Sequence, residues 1–305
     1  MLRSLITLAA TLTLLALPLP AYAELRVVAT LPDLAAIAKE IGGEQVDVTA
    51  MALPSQDPHF VDAKPSLALA LSRADLLLLA GLDLEIGWLP VLVTGSRNPR
   101  VQKGSTGWVD CSSFVEVREV PDGPIDRSMG DIHPGGNPHY MMDPRQGLRV
   151  ARGIAEAMVT ADPGQAETYH AGLARFEQAL AADTTRWSSQ AAGLRDLPVI
   201  SYHRSLVYLA SWLGLRILDE LEPKPGIPPK PSQLTDVLLL AQREGVQLIL
   251  QESFYPSTTS KAVASKARMQ LVILPGGTDF AGGQSYRAHL DELLGLVTAA
   301  AGSTP

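Results

Sequence analysis

Residues 25–51 read LRVVATLPDLAAIAKEIGGEQVDVTAM. Leu25 to Thr30 is a short β-branched run. Asp33 to Ile41 is helix-like and is stopped by Gly42-Gly43, and Val46 to Met51 forms a second strand. Strand, helix, strand with continuous apolar strands is the signature of a parallel sheet covered on both faces. The second strand runs into the loop PSQDPHF, 54–60. Pro65 to Ser72 is helical and leads into Asp75 to Leu79, an apolar strand with too few polar positions to lie at an edge.

Farther along, Asp143-Pro144 caps a helix carried by Gly147 to Thr160. Asp162-Pro163 opens a longer one, with Asp suited to the N-cap and Pro to the first helical position. It can run to Ala192, about 30 residues or roughly 45 Å, as an exposed rod. Beyond Gly193 the alternation resumes. Pro198 to Ser201, Leu215 to Asp219, Gln247 to Gln251 and Leu271 to Leu274 read as strands, separated by helices starting near Ser205, Ser232, Ser257 and Ser285. Glu116 to Pro138, rich in Pro, Gly and Asp, reads as a surface loop. The segment EPKPGIPPKPS, Glu222 to Ser232, reads as a rigid extended connector. The expected organisation is an α/β lobe over 24–162, a linking helix over 163–192 and a second α/β lobe over 193–305.

Composition narrows the function. The chain has 305 residues, with 25 Lys and Arg against 32 Asp and Glu, a formal charge of −7. With no basic block, it lacks the footprint of a nucleic-acid binder. One cysteine, Cys111, excludes an internal disulfide framework and a multi-cysteine metal site. Arg3, the apolar run Leu5 to Leu19 and the ending Ala21-Tyr22-Ala23 have the three parts of a cleavable export signal over 1–23. The run is short for a membrane span. No cysteine follows the cleavage point, so the expectation is an exported chain starting near Glu24, without a lipid anchor, in the periplasm.

Six histidines carry the chemistry. His170 and His289 fall inside helices and read as solvated or half-buried residues. His59 follows the second strand, His203 follows the strand Pro198 to Ser201, and His139 stands in NPHY before a helix. In open parallel sheets, loops leaving the carboxyl ends of strands form the ligand crevice. Pro58 and Pro138 stiffen the approach to two of these histidines. Three imidazoles converging from separate loops suit a borderline ion such as Zn²⁺, bound at about 2.0–2.1 Å. Trp88, Trp108, Trp187 and Trp212 read as core or lobe-interface residues.

DPHF at 57–60, HPGGNPHYMMDP at 133–144, YHRSLVYLASWLGL at 202–215 and EPKPGIPPKPSQL at 222–234 occur together and in this order. In these blocks the chain resembles the ZnuA/TroA-like metal-binding solute-binding proteins of ABC transporters, known as cluster A-I or cluster 9. The resemblance runs over the whole chain after the leader. It implies two lobes joined by a rigid backbone helix that limits hinge opening, with one metal ion held in the cleft between them. It further implies delivery of the ion to an inner-membrane permease, and the chain is expected to be a monomer. His59, His139 and His203 match the family's metal-binding histidines.

The fourth ligand departs from the family pattern. Leu274 stands where relatives often carry an Asp, and leucine cannot coordinate. Glu252, at the end of a strand, and Asp279, in the glycine-rich GGTDFAGG, are the carboxylate candidates, and water is a third. His133 reads as a solvated loop residue with an alternate role as an entry ligand. Three histidines and one carboxylate favour Zn²⁺ over Mn²⁺, although Cu²⁺ also binds such sites tightly. The His-rich loop of some zinc-specific relatives is reduced here to His133. A rival from another class is a secreted zinc hydrolase, with Glu252 or Asp279 as general base beside an open metal position. GxxxxGK[ST], GxSxG and HExxH are all absent.

Overall fold

A computed structural model describes residues 24–123, 133–222, 226–227 and 229–302. The leader over 1–23 lies outside the described residues, as do parts of the 116–138 loop and of the connector over 222–232. The first sheet contains β1 (Leu25–Ala29), β2 (Val46–Ala50), β3 (Leu76–Leu79) and β4 (Trp108–Asp110) in the order β2-β1-β3-β4. The second contains β5 (Pro198–Ser201), β6 (Arg216–Glu220), β7 (Leu248–Glu252) and β8 (Gln270–Leu274) in the order β6-β5-β7-β8. All the pairings are parallel, so the two lobes repeat one topology.

Side-chain alternation explains why both faces of each sheet are covered. Val27 and Ala29 of β1 face an inner core, whereas Val28 joins Leu77 and Leu79 in an outer one. In the second sheet, Val199, Leu248 and Leu250 face the inner core and Ile200 and Ile249 an outer one. The inner core is shared: residues of both sheets and of the helices between them form one apolar cluster.

Eight helices follow the expected order, and α3 is an addition to it. They are α1 (Pro32–Gly42), α2 (Pro65–Arg73), α3 (Leu89–Ser96), α4 (Pro144–Ala161), α5 (Ala166–Gln190), α6 (Val207–Leu213), α7 (Pro231–Glu244), α8 (Thr258–Ala267) and α9 (Tyr286–Gly302). The Asp143 carboxylate caps α4 by accepting the Arg145 N–H at 2.8 Å. Asp162 does not cap its helix. It accepts the Tyr169 hydroxyl at 3.0 Å instead, and a 3₁₀ turn over Pro163–Gln165 precedes α5. The linking helix therefore has 25 residues, shorter than the expected span. Nor is it an exposed rod. Tyr169, Gly172, Phe176, Leu180 and Trp187 line one buried stripe. At Gly172 the crossing is so close that a Cβ would lie 1.9 Å from the carbonyl oxygen of Ile41, at the end of α1. No helix among the described residues is long and apolar enough to cross a membrane.

Beneath the first lobe's strand ends, Glu85 joins two loops. Its Oε1 accepts from the Thr30 hydroxyl at 2.6 Å and the Ala80 N–H at 2.7 Å, and its Oε2 accepts from the Gly81 N–H at 3.2 Å. Burial outweighs these bonds and pushes the carboxyl from 4.5 up to about 7. A carboxyl raised in the folded state contributes stability below its unfolded value, and that contribution is lost as pH rises through about 7. Urea melts should therefore show a decline between pH 4.5 and 7 that Glu85→Gln flattens, by up to about 1.4 kcal/mol per pH unit. Parallel pH profiles for the two proteins would contradict the assignment.

Candidate metal centre

His59 lies in the loop leaving β2, His203 directly follows β5, and His139 lies in the segment before α4. Each loop is anchored. The Trp88 indole N–H donates to the carbonyl of Pro58 at 2.9 Å, holding the His59 turn. The His139 segment is pinned from three sides. The Tyr140 hydroxyl donates to the Ala80 carbonyl at 2.6 Å, the Tyr208 hydroxyl to the Asn137 carbonyl at 3.0 Å, and the Tyr286 hydroxyl of α9 to the Met141 carbonyl at 2.7 Å. The last two of these tie the segment to helices of the second lobe. The Tyr202 ring, beside His203, packs against Tyr255 with centroids 4.7 Å apart.

One ring nitrogen of each histidine lies within 4.8 Å of the others, making a three-imidazole group across the cleft. Their ring centroids are 5.1 Å (His59–His139), 5.6 Å (His139–His203) and 5.9 Å (His59–His203) apart. In all three rings Nδ1 is already engaged. Asp57 Oδ1 accepts from both the His59 backbone N–H at 2.9 Å and its Nδ1 at 2.7 Å. Asn137 Oδ1 does the same for His139, at 3.0 and 2.9 Å. His203 Nδ1 meets Glu222 Oε2 at 2.7 Å. A proton held on Nδ1 leaves the Nε2 lone pair free, as a metal ligand requires. His139 Nε2 is buried and has no hydrogen-bond partner.

The electrostatics separate the rings. Burial and the neighbouring His59, His203 and His133 hold His139 well below the ordinary imidazole range. For His203, burial opposes the cation, but the Glu222 hydrogen bond and the charges of Glu252, Glu222 and Asp57 prevail and raise its pKa. Asp57 is held below the usual carboxylate range: burial opposes ionisation, but its bonds to His59 outweigh it.

The two carboxylate candidates part company. Glu252 ends β7 fully buried; its Oε1 accepts the Ser205 hydroxyl and its Oε2 has no partner. It carries no oxygen within the 4.8 Å grouping, and burial raises its pKa against the Ser205 hydrogen bond and the His203 charge. Asp279 is exposed, with Oδ1 taken up by the Gly282 N–H at 3.0 Å, and it is likewise outside the group. A tight turn around its own carboxylate holds it outward. Leu274 is fully buried in the inner core.

His133 corrects the expectation of a solvated loop residue. It is half-buried, and its Nε2 stands 3.2 Å from Nε2 of His59. Burial and His59 press its pKa down to about 4. Arg204 pairs with Glu119 at 2.6 Å on the surface. His289 is buried, 2% exposed, and faces Asp33 rather than solvent, while His170 is exposed.

Sequence reasoning missed Asp57, Asn137 and Glu222. The first two had a signal, since DPH and NPH place an oxygen-bearing side chain two residues before each histidine. Glu222 had none. It reaches His203 because β6 pairs with β5, which brings Glu222 N–H to the Tyr202 carbonyl at 3.0 Å.

The family described as the zinc-uptake complex component A, periplasmic, ZnuA, matches residues 27–300. The chain belongs to the ZnuA family. This is a family of metal-binding solute-binding proteins, not of enzymes, and the hydrolase reading is not favoured. The metal ABC transporter substrate-binding lipoprotein ScbA of Streptococcus cristatus is 28% identical over 162 residues, 52% of this chain and 49% of that protein. The manganese ABC transporter substrate-binding lipoprotein PsaA of Streptococcus anginosus is 28% identical over 160 residues, 52% of this chain and 48% of that protein. The match thus spans about half the length of these curated relatives. In fold the chain is similar to a crystal structure of ZnuA, with TM-score 0.74, 20% identity, and coverage of 91% of this chain and 99% of that one. It is also similar to a cadmium-bound periplasmic metal binding protein from Candidatus Liberibacter asiaticus, with TM-score 0.75, 19% identity, and coverage of 90% and 99%.

Proposed function

We propose that this ZnuA-family chain is the periplasmic solute-binding protein of a metal-uptake ABC transporter. In this reading the leader over 1–23 exports it, and it captures Zn²⁺ between its lobes and hands the ion to an inner-membrane permease. The observation that carries the reading is the convergence of one ring nitrogen from each of three histidines, each with its Nδ1 already hydrogen-bonded. His59, His139 and His203 are the ligands. Asp57 and Glu222 orient two of the rings and offset the charge of the ion. Glu252, fully buried, stays outside the coordination sphere, and Asp279 stays in its turn. Manganese prefers oxygen-rich sites, so a nitrogen-dominated set supports zinc over manganese.

Metal titration of the purified apoprotein tests this. We expect one equivalent of zinc to bind, with manganese weaker by about 100-fold or more in competition. Glu222→Gln should lower zinc affinity by about 10–100-fold, because it removes the charge that makes the His203 ring a better donor. Equal affinity for zinc and manganese would overturn the choice of cargo.

A further inference from the structure

We propose that the segment from Gly276 to Arg287 is a strap that fastens the second lobe to the first without the help of a bound ion, with Asp33 and Thr278 as its buried clasp. The cleft is thereby held at its binding width before the cargo arrives. The effect on affinity rests on the metal-binding reading above; the strap itself does not.

The clasp joins residues 245 positions apart. Asp33 lies in the first turn of α1 in the first lobe, and Thr278 in the turn that follows β8 in the second. The Thr278 hydroxyl donates to Asp33 Oδ1 at 2.8 Å, and the Thr278 N–H donates to the same oxygen at 3.3 Å. Both residues are buried, Thr278 fully and Asp33 with 6% exposed. Hydrogen bonds to a charged acceptor are worth more than neutral ones, and a buried carboxylate that lost them would be left uncompensated. His289 of α9 backs the clasp, with Nε2 4.0 Å from the same Asp33 oxygen.

The two glycines before Thr278 let the turn come this close. A Cβ on Gly276 would lie 2.9 Å from the Pro54 carbonyl oxygen, in the loop that carries His59. One on Gly277 would lie 3.1 Å from Pro32 Cγ and 3.2 Å from Asp33 Oδ2. The front of the GGTDFAGG stretch thus serves close approach between the lobes.

Farther along, the Tyr286 hydroxyl donates to the Met141 carbonyl at 2.7 Å, and Arg287 Nε donates to Glu40 Oε1 at 3.3 Å. The segment therefore grips the first lobe at the His59 loop, at both ends of α1 and beside His139. None of these gripping groups belongs to the three-imidazole set, so the grip needs no ion. A cavity of about 40 Å³ lined by Asp33, Gly276, His289 and His139 places the clasp beside the site. The helix α5 joins the lobes through the chain, and the strap adds a second, non-covalent attachment. Two bodies held at two places have less freedom to open than two held at one.

Distances between spin labels on Lys64→Cys and Lys261→Cys test this, with one exposed position on each lobe and the native Cys111 buried beyond reach of the label. In the chain with the clasp intact, the distance is expected to be the same without metal and with zinc. Asp33→Ala and Thr278→Val should each broaden the metal-free distribution toward longer distances, whereas Thr278→Ser, which keeps the hydroxyl, should not. Zinc affinity should fall about 10-fold in the first two, because a binding-competent state populated about a tenth of the time raises the apparent dissociation constant by that factor. A metal-free distance longer than the zinc-loaded one with the clasp intact, or metal-free distributions unchanged in both clasp variants, would overturn the strap. If the chain binds no zinc, the cargo reading falls alone, because the metal-free distances still decide the strap.

Discussion

His59→Ala, His139→Ala and His203→Ala are each expected to lower zinc affinity by more than about 100-fold, at least ~2.8 kcal/mol at about 1.4 kcal/mol per tenfold. Loss of an orienting partner alone costs about 10–100-fold, so loss of the ligand itself must exceed that. The three variants should differ in a second measurement, the thermal stability of the apoprotein. His59 is held by one carboxylate that is open to solvent on one side, with 20% of the Asp57 side chain exposed. Its removal takes away the bonds that offset the burial of Asp57, but water can reach the freed carboxylate and limits the cost. His203 sits between Glu222, whose side chain is 8% exposed, and the fully buried Glu252. Without the imidazole, Glu222 loses its hydrogen-bond partner and Glu252 loses a positive neighbour that opposes the burial-driven rise of its pKa, and an uncompensated buried charge is expensive. His203→Ala should therefore lower the apoprotein's melting temperature more than His59→Ala does. Wild-type zinc affinity in all three variants would refute the site, and equal melting temperatures would refute the charge argument.

Gly172→Ala is expected to be the most destabilising single-methyl change in the linking helix. The added Cβ would meet the Ile41 carbonyl oxygen at 1.9 Å and the Ile41 Cα at 3.0 Å, and both are backbone atoms that cannot rotate away. α5 would have to lift off α1, opening the stripe around Tyr169 and Phe176, both fully buried. Overpacking costs about 1–3 kcal/mol where side chains can adjust, so a backbone clash should reach about 3 kcal/mol. At roughly 2–4 °C per kcal/mol for a chain of this class, the melting temperature should fall by about 6–12 °C. A neighbouring change on the exposed face, Glu167→Ala, serves as a control for helix propensity. A fall of less than about 2 °C in Gly172→Ala would show that the helices separate easily.

Much of this architecture is legible along the chain. Runs such as Leu76–Leu79 are apolar on both faces because both faces are covered, and DPH and NPH mark turns that present a histidine. What escaped was short or non-local. β4 has three residues, too few for periodicity, and is a strand because it pairs with β3. Asp162 has every local mark of an N-cap, yet Tyr169 claims its carboxylate. Asp279 sits in a loop rich in glycine, but its own turn with Gly282 holds it outward.

By itself, then, the sequence determined the parallel α/β class, the order of elements and the residue types available to a metal, since periodicity and turn chemistry are written within a few residues. Only the tertiary structure decided which of those groups meet. Residues 59, 133, 139 and 203 come from loops on two different sheets, and their spacing is set by how both sheets pack through one shared core beside α5. That packing drew His133 inward, left Asp279 outside and placed Glu222 behind His203, because distances across a core depend on contacts between segments far apart in the chain.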